Sequence, residues 1–156
     1  MKDSLRNMTW IFVGIVMGSI VNLCLVSLGM VLIPPPAGLD LSDPEVLKDN
    51  IKLLPPKSFL FPWLAHALGT LIGAFLVARY AAMKPFVGAT VIAAFFLNGG
   101  LMMVLSVGGP KWFIGADLLL AYLPMAFIGG SLGGHLRRQS LNAHSNTGMT
   151  LSLIHI

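Results

Sequence analysis

Four long apolar runs, separated by short polar ones, set the pattern of this chain. They extend from Trp10 to Ile33, Phe59 to Ala78, Pro85 to Val107 and Trp112 to Gly134. The first and third carry no charged residue, and the fourth carries only Asp117. Each reaches the roughly 20 residues that a helix needs to cross a hydrocarbon core of ~30 Å. In lipid each must be helical, because no water is there to satisfy a backbone N–H or C=O. The pattern predicts an all-α membrane protein, four transmembrane helices in a compact bundle of two hairpins. Residues 1–134 form the single transmembrane domain, 34–58 its outer loop and 135–150 a polar tail.

The outer loop is framed by prolines at 34–36 and 55–56. Within it "SDPE" fits a capping box, with Ser42 at the N-cap, Glu45 at N3 and Pro44 in the first turn. Leu47, Ile51 and Leu54 then recur on one helical face. A short amphipathic helix on the outer surface follows, packing on the bundle or headgroups or serving as a lid or docking element. In the fourth span, Pro124 leaves the Leu120 carbonyl without its usual donor and predicts a kink.

Composition agrees with lipid as the solvent. Hydrophobic residues make up 56% of the 156 and charged ones 10%, against roughly 25% charged in a soluble domain. Mean hydropathy is +0.83. The net charge of +4 lies between apolar runs, so it reads as a topology signal and not as a nucleic-acid surface. Lys2, Arg6, Arg79, Lys84, Arg137 and Arg138 fall on one side; Lys48, Lys52, Lys57 and Lys111 fall on the other. The positive-inside rule then puts both termini in the cytoplasm. Phe59, Phe61, Trp63, Trp112 and Phe113 would form an outer aromatic belt, and Trp10, Phe12 and Tyr80 an inner one. The first span is too long for a signal peptide and ends in "IPPP", which favours a retained helix. A lone cysteine, Cys24, rules out an intrachain disulfide or a Cys-rich metal site. The closing "LSLIHI", residues 151–156, is expected to continue no helix. One reverse translation of it matches a transposon end used in sequencing libraries, so it is read as an adapter remnant and His155 is set aside.

Small residues mark the packing faces. Gly14 and Gly18, Gly69 and Gly73, Gly129 and Gly133, and Gly130 and Gly134 each stand four apart. Such pairs let helix backbones approach where lipid gives helices no hydrophobic reason to associate. They serve packing within one bundle or, on a surplus face, a homo-oligomer. The stripe Gly14, Gly18, Asn22, Gly29 is expected to meet the stripe His66, Gly69, Thr70, Gly73, Val77.

Four intramembrane polar residues stand out: Asn22, His66, Asn98 and Asp117. At 1.5 Å per residue His66 lies about 10 Å, Asp117 about 8 Å and Asn98 roughly 13 Å from the outer end of its span. Asn22 lies near the midplane. A carboxylate facing lipid is expensive, so Asp117 should turn inward, where His66 is the natural partner. "FVG" opens the apolar part of the first and third spans, at Phe12–Gly14 and Phe86–Gly88, and an Asn follows in each, Asn22 ten residues after Phe12 and Asn98 ten after Gly88. This suggests a parallel repeat about an axis normal to the membrane. One reading makes the polar set a hydrogen-bonded tie between helices. The other makes His66, Asp117, Asn98, Asn22 and Thr70 an outward-opening site for a proton, a cation or a small polar ligand, since histidine changes charge between about pH 5 and 8. Two ligands plus amides are few for zinc, which takes three or four donors.

The stretch from "IPPPAGLD" through "FLFPWLAHALGTLIGAF" to "ADLLLAYLPMAFIGG" resembles small four-helix bacterial inner-membrane proteins of uncharacterised activity. The resemblance spans residues 10–134. It implies that membrane and topology, and brings no activity. The first span lacks the glutamate of small multidrug exporters, and the chain has no CxxC, phosphate loop or nucleophile–base motif. The sequence therefore points away from an enzyme and calls for no cofactor. It leaves an accessory or structural membrane protein, homo-oligomeric or part of a larger complex, and, as the alternative, a small proton- or cation-coupled transporter or channel-like protein using His66 and Asp117.

Overall fold

The computed structural model describes residues 1–36, 41 and 43–154. Its elements are α1 (Lys2–Leu32), α2 (Pro44–Asn50), two single 3-10 turns (Ile51–Leu53 and Pro56–Phe59), α3 (Leu60–Tyr80), α4 (Pro85–Ser106), α5 (Lys111–Leu120) and α6 (Leu123–Ile154). Four helical segments are long and apolar enough to cross a membrane: Lys2–Leu32, Pro56–Tyr80, Pro85–Ser106 and Lys111–Ala143.

Prolines and glycines set most of the boundaries. Pro44 and Pro85 sit in the first turns of α2 and α4, where a missing N–H goes unnoticed. After α4 the chain turns through Gly108 at φ +81° and Gly109 at φ +151°, a path that side chains with a Cβ rarely take. Ser42, expected as the cap of the loop helix, lies outside the described residues, as do Asp40 and His155. The α2 cap is Asp43, whose Oδ1 accepts from Glu45 N–H at 2.9 Å. With Pro44 opening the helix, Glu45 comes second, not third.

The fourth apolar run departs furthest from expectation. It is two helices, not one kinked helix: α5 closes on Ala121 N–H to Asp117 C=O, and α6 opens on Ala126 N–H to Tyr122 C=O. Pro124 in the first turn of α6 supplies the reason, since its ring cannot continue the α5 hydrogen-bond ladder. At the far end the helix runs past the apolar pattern to Ile154. Residues 151–154 therefore do continue a helix, contrary to the expectation from composition.

Helix α3 is the centre, packed against α1, α4 and α6. On α1, a Cβ at Gly18 would stand 2.6 Å from the Gly69 carbonyl oxygen, and one at Gly69 2.7 Å from that of Gly18. Gly14 and Gly73 oppose each other in the same way, and Gly29 lies against Phe61, so α1 and α3 run antiparallel. The α6 glycines split between two neighbours. Gly129 and Gly133 lie on the α3 backbone at Leu71 and Phe75, while Gly130 and Gly134 face Ala89 and Pro85 of α4. One helix thus wedges into the groove between two others. The interior is built from small side chains: Ala74, Ala89, Ala93 and Ala126 are all buried. Large apolar groups such as Phe12, Leu23, Phe95 and Phe127 point outward. This inverts the ordinary globular arrangement and suits a lipid solvent, where close backbone contact drives association.

At the end holding the N-terminus, the connection 81–84 is tied from both sides. Asn7 Oδ1 accepts from Ala82 N–H at 2.7 Å and Met83 N–H at 3.0 Å. Arg137 donates to Met83 C=O at 2.9 Å and Ala82 C=O at 3.3 Å. Arg6 Nε donates to Tyr80 C=O at 2.8 Å, satisfying a carbonyl in the last turn of α3. Trp10 stacks on Tyr80, ring centroids 4.5 Å apart.

Candidate functional site

At the opposite end three side chains from different elements meet. His66 projects from the second turn of α3, Asp117 from the last turn of α5 and Tyr122 from the break before α6. His66 Nδ1 and Asp117 Oδ1 are 2.8 Å apart. Tyr122 donates its hydroxyl to Asp117 Oδ2 at 2.9 Å, and the phenol oxygen lies 2.9 Å from His66 Nδ1. The break at Ala121–Tyr122 makes this possible. In an unbroken helix a residue five positions on points about 140° away from Asp117, as 3.6 residues complete a turn. The break lets Tyr122 fold back onto the carboxylate.

Burial is graded across the trio. Tyr122 is 1% exposed and Asp117 3%, whereas the His66 side chain keeps 22% of its surface. Gly100 on α4 makes room for Tyr122, because a Cβ there would overlap the phenol oxygen. A turn away, Trp63 Nε1 donates to Ala116 C=O at 3.4 Å. Among the described residues no buried side-chain nitrogen or oxygen lacks a hydrogen-bond partner. A buried carboxylate with two donors meets the condition under which such a group is tolerated.

His66 and Asp117 of the trio line a cavity of about 260 Å³, with Tyr122 held behind them. His66, Asp117 and Ser58 supply its polar part. Gly29 and Met30 of α1, Met103 and Val104 of α4, and Phe113 and Ile114 of α5 supply apolar walls. Leu47, Ile51 and Leu54 from the loop also line it, closing the side toward α2. They share a side as their spacing suggested, although they do not share one helix: α2 stops at Asn50, Ile51 begins a 3-10 turn and Leu54 is extended.

The other candidates do not join the trio. Thr70 is buried, but its hydroxyl donates back to His66 C=O at 2.7 Å on its own helix. Asn22 is half-buried and lies beside Gly69 at the α1–α3 contact. Asn98 is exposed on α4, with Gly100, two positions on, turned inward. An inward amide at Asn98 is therefore not part of the site, and Asn22 and Asn98 do not occupy matching environments. Tyr122 is the member that the sequence reading passed over. Tyrosine in a membrane segment suggests an interfacial belt, yet Tyr122 lies eleven positions past Lys111, the first residue of α5. Its mid-span position was the available signal, since a buried phenol needs a partner for its O–H.

Chemically, the arrangement holds a carboxylate, an imidazole and a phenol within one hydrogen-bonded triangle beside an apolar cavity. Among the described residues no three His, Cys, Asp or Glu side chains gather. The chain matches no protein-family model, no curated protein and no solved structure.

Proposed function

We propose that this is a multi-pass protein of the bacterial inner membrane, built as two hairpins with both termini cytoplasmic and the α2 loop outside. Its cavity binds a small, largely apolar molecule, with His66 and Asp117 as the polar floor and Tyr122 bracing them from behind. One observation carries this reading: the cavity bordered by Met30, Met103 and Phe113 ends on the His66–Asp117 pair. Apolar walls with a few convergent polar groups are the usual make-up of a small-molecule site. Of the proton- and cation-coupled alternatives, the trio favours the proton. Both Asp117 oxygens already have donors, which leaves a cation little to coordinate. Proton coupling would use His66 as the group that exchanges with the cavity.

The accessory or structural reading draws on the same closure, because the trio ties α3 to α5 and to the start of α6 whether or not anything binds. An oligomer would find a seam on the exposed face of α4, where Asn98 and Gly99 lie beside Phe95.

The two readings separate on Val104→Trp, which puts a bulky side chain into the cavity from α4 and leaves the three trio residues themselves unchanged. Purified protein in nanodiscs is screened by thermal shift and native mass spectrometry against small apolar molecules. Stabilisation by a ligand that Val104→Trp abolishes supports the binding role. If no molecule binds in a Val104-dependent way, while His66→Ala only lowers the melting temperature, the trio is structural. Reporter fusions at both termini test the orientation, and a periplasmic C-terminus would overturn it.

A further inference from the structure

We propose that the cavity's occupant is a neutral aromatic molecule bearing a hydroxyl, a phenol or hydroquinone, which donates its O–H to His66 Nε2. This rests on the binding role proposed above for the cavity.

The hydrogens of the trio lead to this acceptor. Asp117 as a carboxylate has none to give. The Tyr122 hydrogen is directed to Asp117 Oδ2. If Nδ1 of His66 were bare, it would face Asp117 Oδ1 at 2.8 Å as one acceptor against another, which is repulsive. Nδ1 therefore carries the hydrogen. In the neutral ring that leaves the lone pair on Nε2. Asp117 thus acts as a positioning residue that fixes the tautomer.

Nε2 is open. It makes no hydrogen bond among the described residues, and none of the buried side-chain nitrogens there lacks a partner, so Nε2 is not among the buried atoms. His66 lines the cavity and keeps 22% of its side-chain surface. An exposed acceptor in an apolar chamber calls for a donor on the ligand, since a ligand without one leaves the nitrogen dehydrated and unpaired.

The walls select the rest of the molecule. Phe59 and Phe113 offer ring faces and edges, and Met30 and Met103 offer the polarisable sulfur that sits well against aromatic rings. The cavity, at about 260 Å³, exceeds the ~150 Å³ that accepts benzene in an engineered core, so a substituted ring fits. Among the described residues no lysine or arginine lines it, which disfavours carboxylate and phosphate ligands. Among the described lining residues the one carboxylate, Asp117, is already paired, which disfavours amines.

The experiment compares para-hexylphenol with its methyl ether, matched in shape but lacking the donor. Both are titrated against the full-length protein in nanodiscs by native mass spectrometry, counting only binding that Val104→Trp abolishes. The phenol should bind about ten-fold more tightly than the ether, the scale of one hydrogen bond to an otherwise unpaired buried group. Asp117→Asn should erase that preference, because the amide can donate to Nδ1 and push the ring hydrogen to Nε2. His66→Phe should erase it too, while keeping the apolar contacts. Should Asp117→Asn fail to fold, the wild-type ¹⁵N resonance of His66 Nε2 decides the matter, moving on phenol binding and staying still with the ether. Equal binding of phenol and ether, or a preference for the ether, overturns this inference and leaves the cavity's binding role intact. Absence of Val104-dependent binding by either compound overturns the binding role itself.

Discussion

The two ends of this bundle use polar side chains in opposite ways. At the 81–84 connection, Asn7 and Arg137 bond main-chain groups, one taking two N–H groups and the other giving to two carbonyls. These contacts fix a turn. At the other end His66, Asp117 and Tyr122 bond one another, and one nitrogen of His66, a residue that lines the cavity, is left without a bond among the described residues. The first arrangement holds the chain in place. The second also holds it, but keeps a functional group available. Satisfying the backbone needs side chains only at its edges, whereas keeping a nitrogen open in an apolar setting needs a partner to orient it.

The comparison rests on a shared frame, so the largest effect should come from breaking that frame. At Gly129 an added Cβ would overlap the backbone carbonyl of Leu71, which cannot rotate away as a side chain would. Gly129→Val is expected to destabilise by about 3 kcal/mol or more and to unsettle both ends together, as thermal unfolding in detergent and proteolysis at each end would register. Loss of one end alone would show that the ends fold independently.

Next in size is Asp117→Ala. It removes the acceptor from two donors at once, leaving the Tyr122 hydroxyl, 1% exposed, and His66 Nδ1 with only each other. The expected loss is about 2–3 kcal/mol, the cost of buried groups left unpaired. Asp117→Asn keeps an acceptor oxygen and should lose less. If Ala and Asn variants melt alike, the carboxylate is not what orders this end. Asn7→Ala is the matching cut at the opposite end. It frees the Ala82 and Met83 N–H groups, which stand nearer to water, so about 1–2 kcal/mol is expected. Hydrogen exchange should then rise at Ala82 and Met83 while the His66 end stays protected. Coupled loss of protection at both ends would erase the distinction drawn between them.

These differences also explain what could be read from the chain. The helices were legible because lipid imposes one rule on every residue of a span: four apolar runs of sufficient length became four helical segments. His66 and Asp117 were legible as well, since ionisable groups are rare inside such runs and costly unless paired. Asn98 misled for the same reason in reverse. An amide carries a smaller penalty than a charge, so its presence in a span did not fix which way α4 turned, and it lies exposed while Gly100 faces inward. Tyr122 was hidden by its aromatic character, which suits lipid as well as it suits a partner. Its role depends on the break at Ala121–Tyr122, and a proline two residues later suggests a kink without saying that the helix will restart. The cavity depends on how the loop folds over α1, α4 and α5, a long-range fact with no local signature beyond the apolar spacing of Leu47, Ile51 and Leu54.

The smallest change that still divides the two roles of the trio is Tyr122→Phe. It deletes one oxygen, keeps the ring against Ala67 and Ala121, and relieves the tight approach to Gly100. Asp117 Oδ2 loses its donor, so about 1 kcal/mol of stability should go. The Nδ1–H bond to Oδ1 remains, and with it the tautomer that leaves Nε2 as an acceptor. Hydroxyl selectivity in the cavity should therefore persist in Tyr122→Phe although it is lost in Asp117→Asn, as the ratio of phenol to ether affinities would show. If both variants lose selectivity in proportion to their lost stability, the trio acts only as a brace, and the end with the cavity works on the same plan as the end without it.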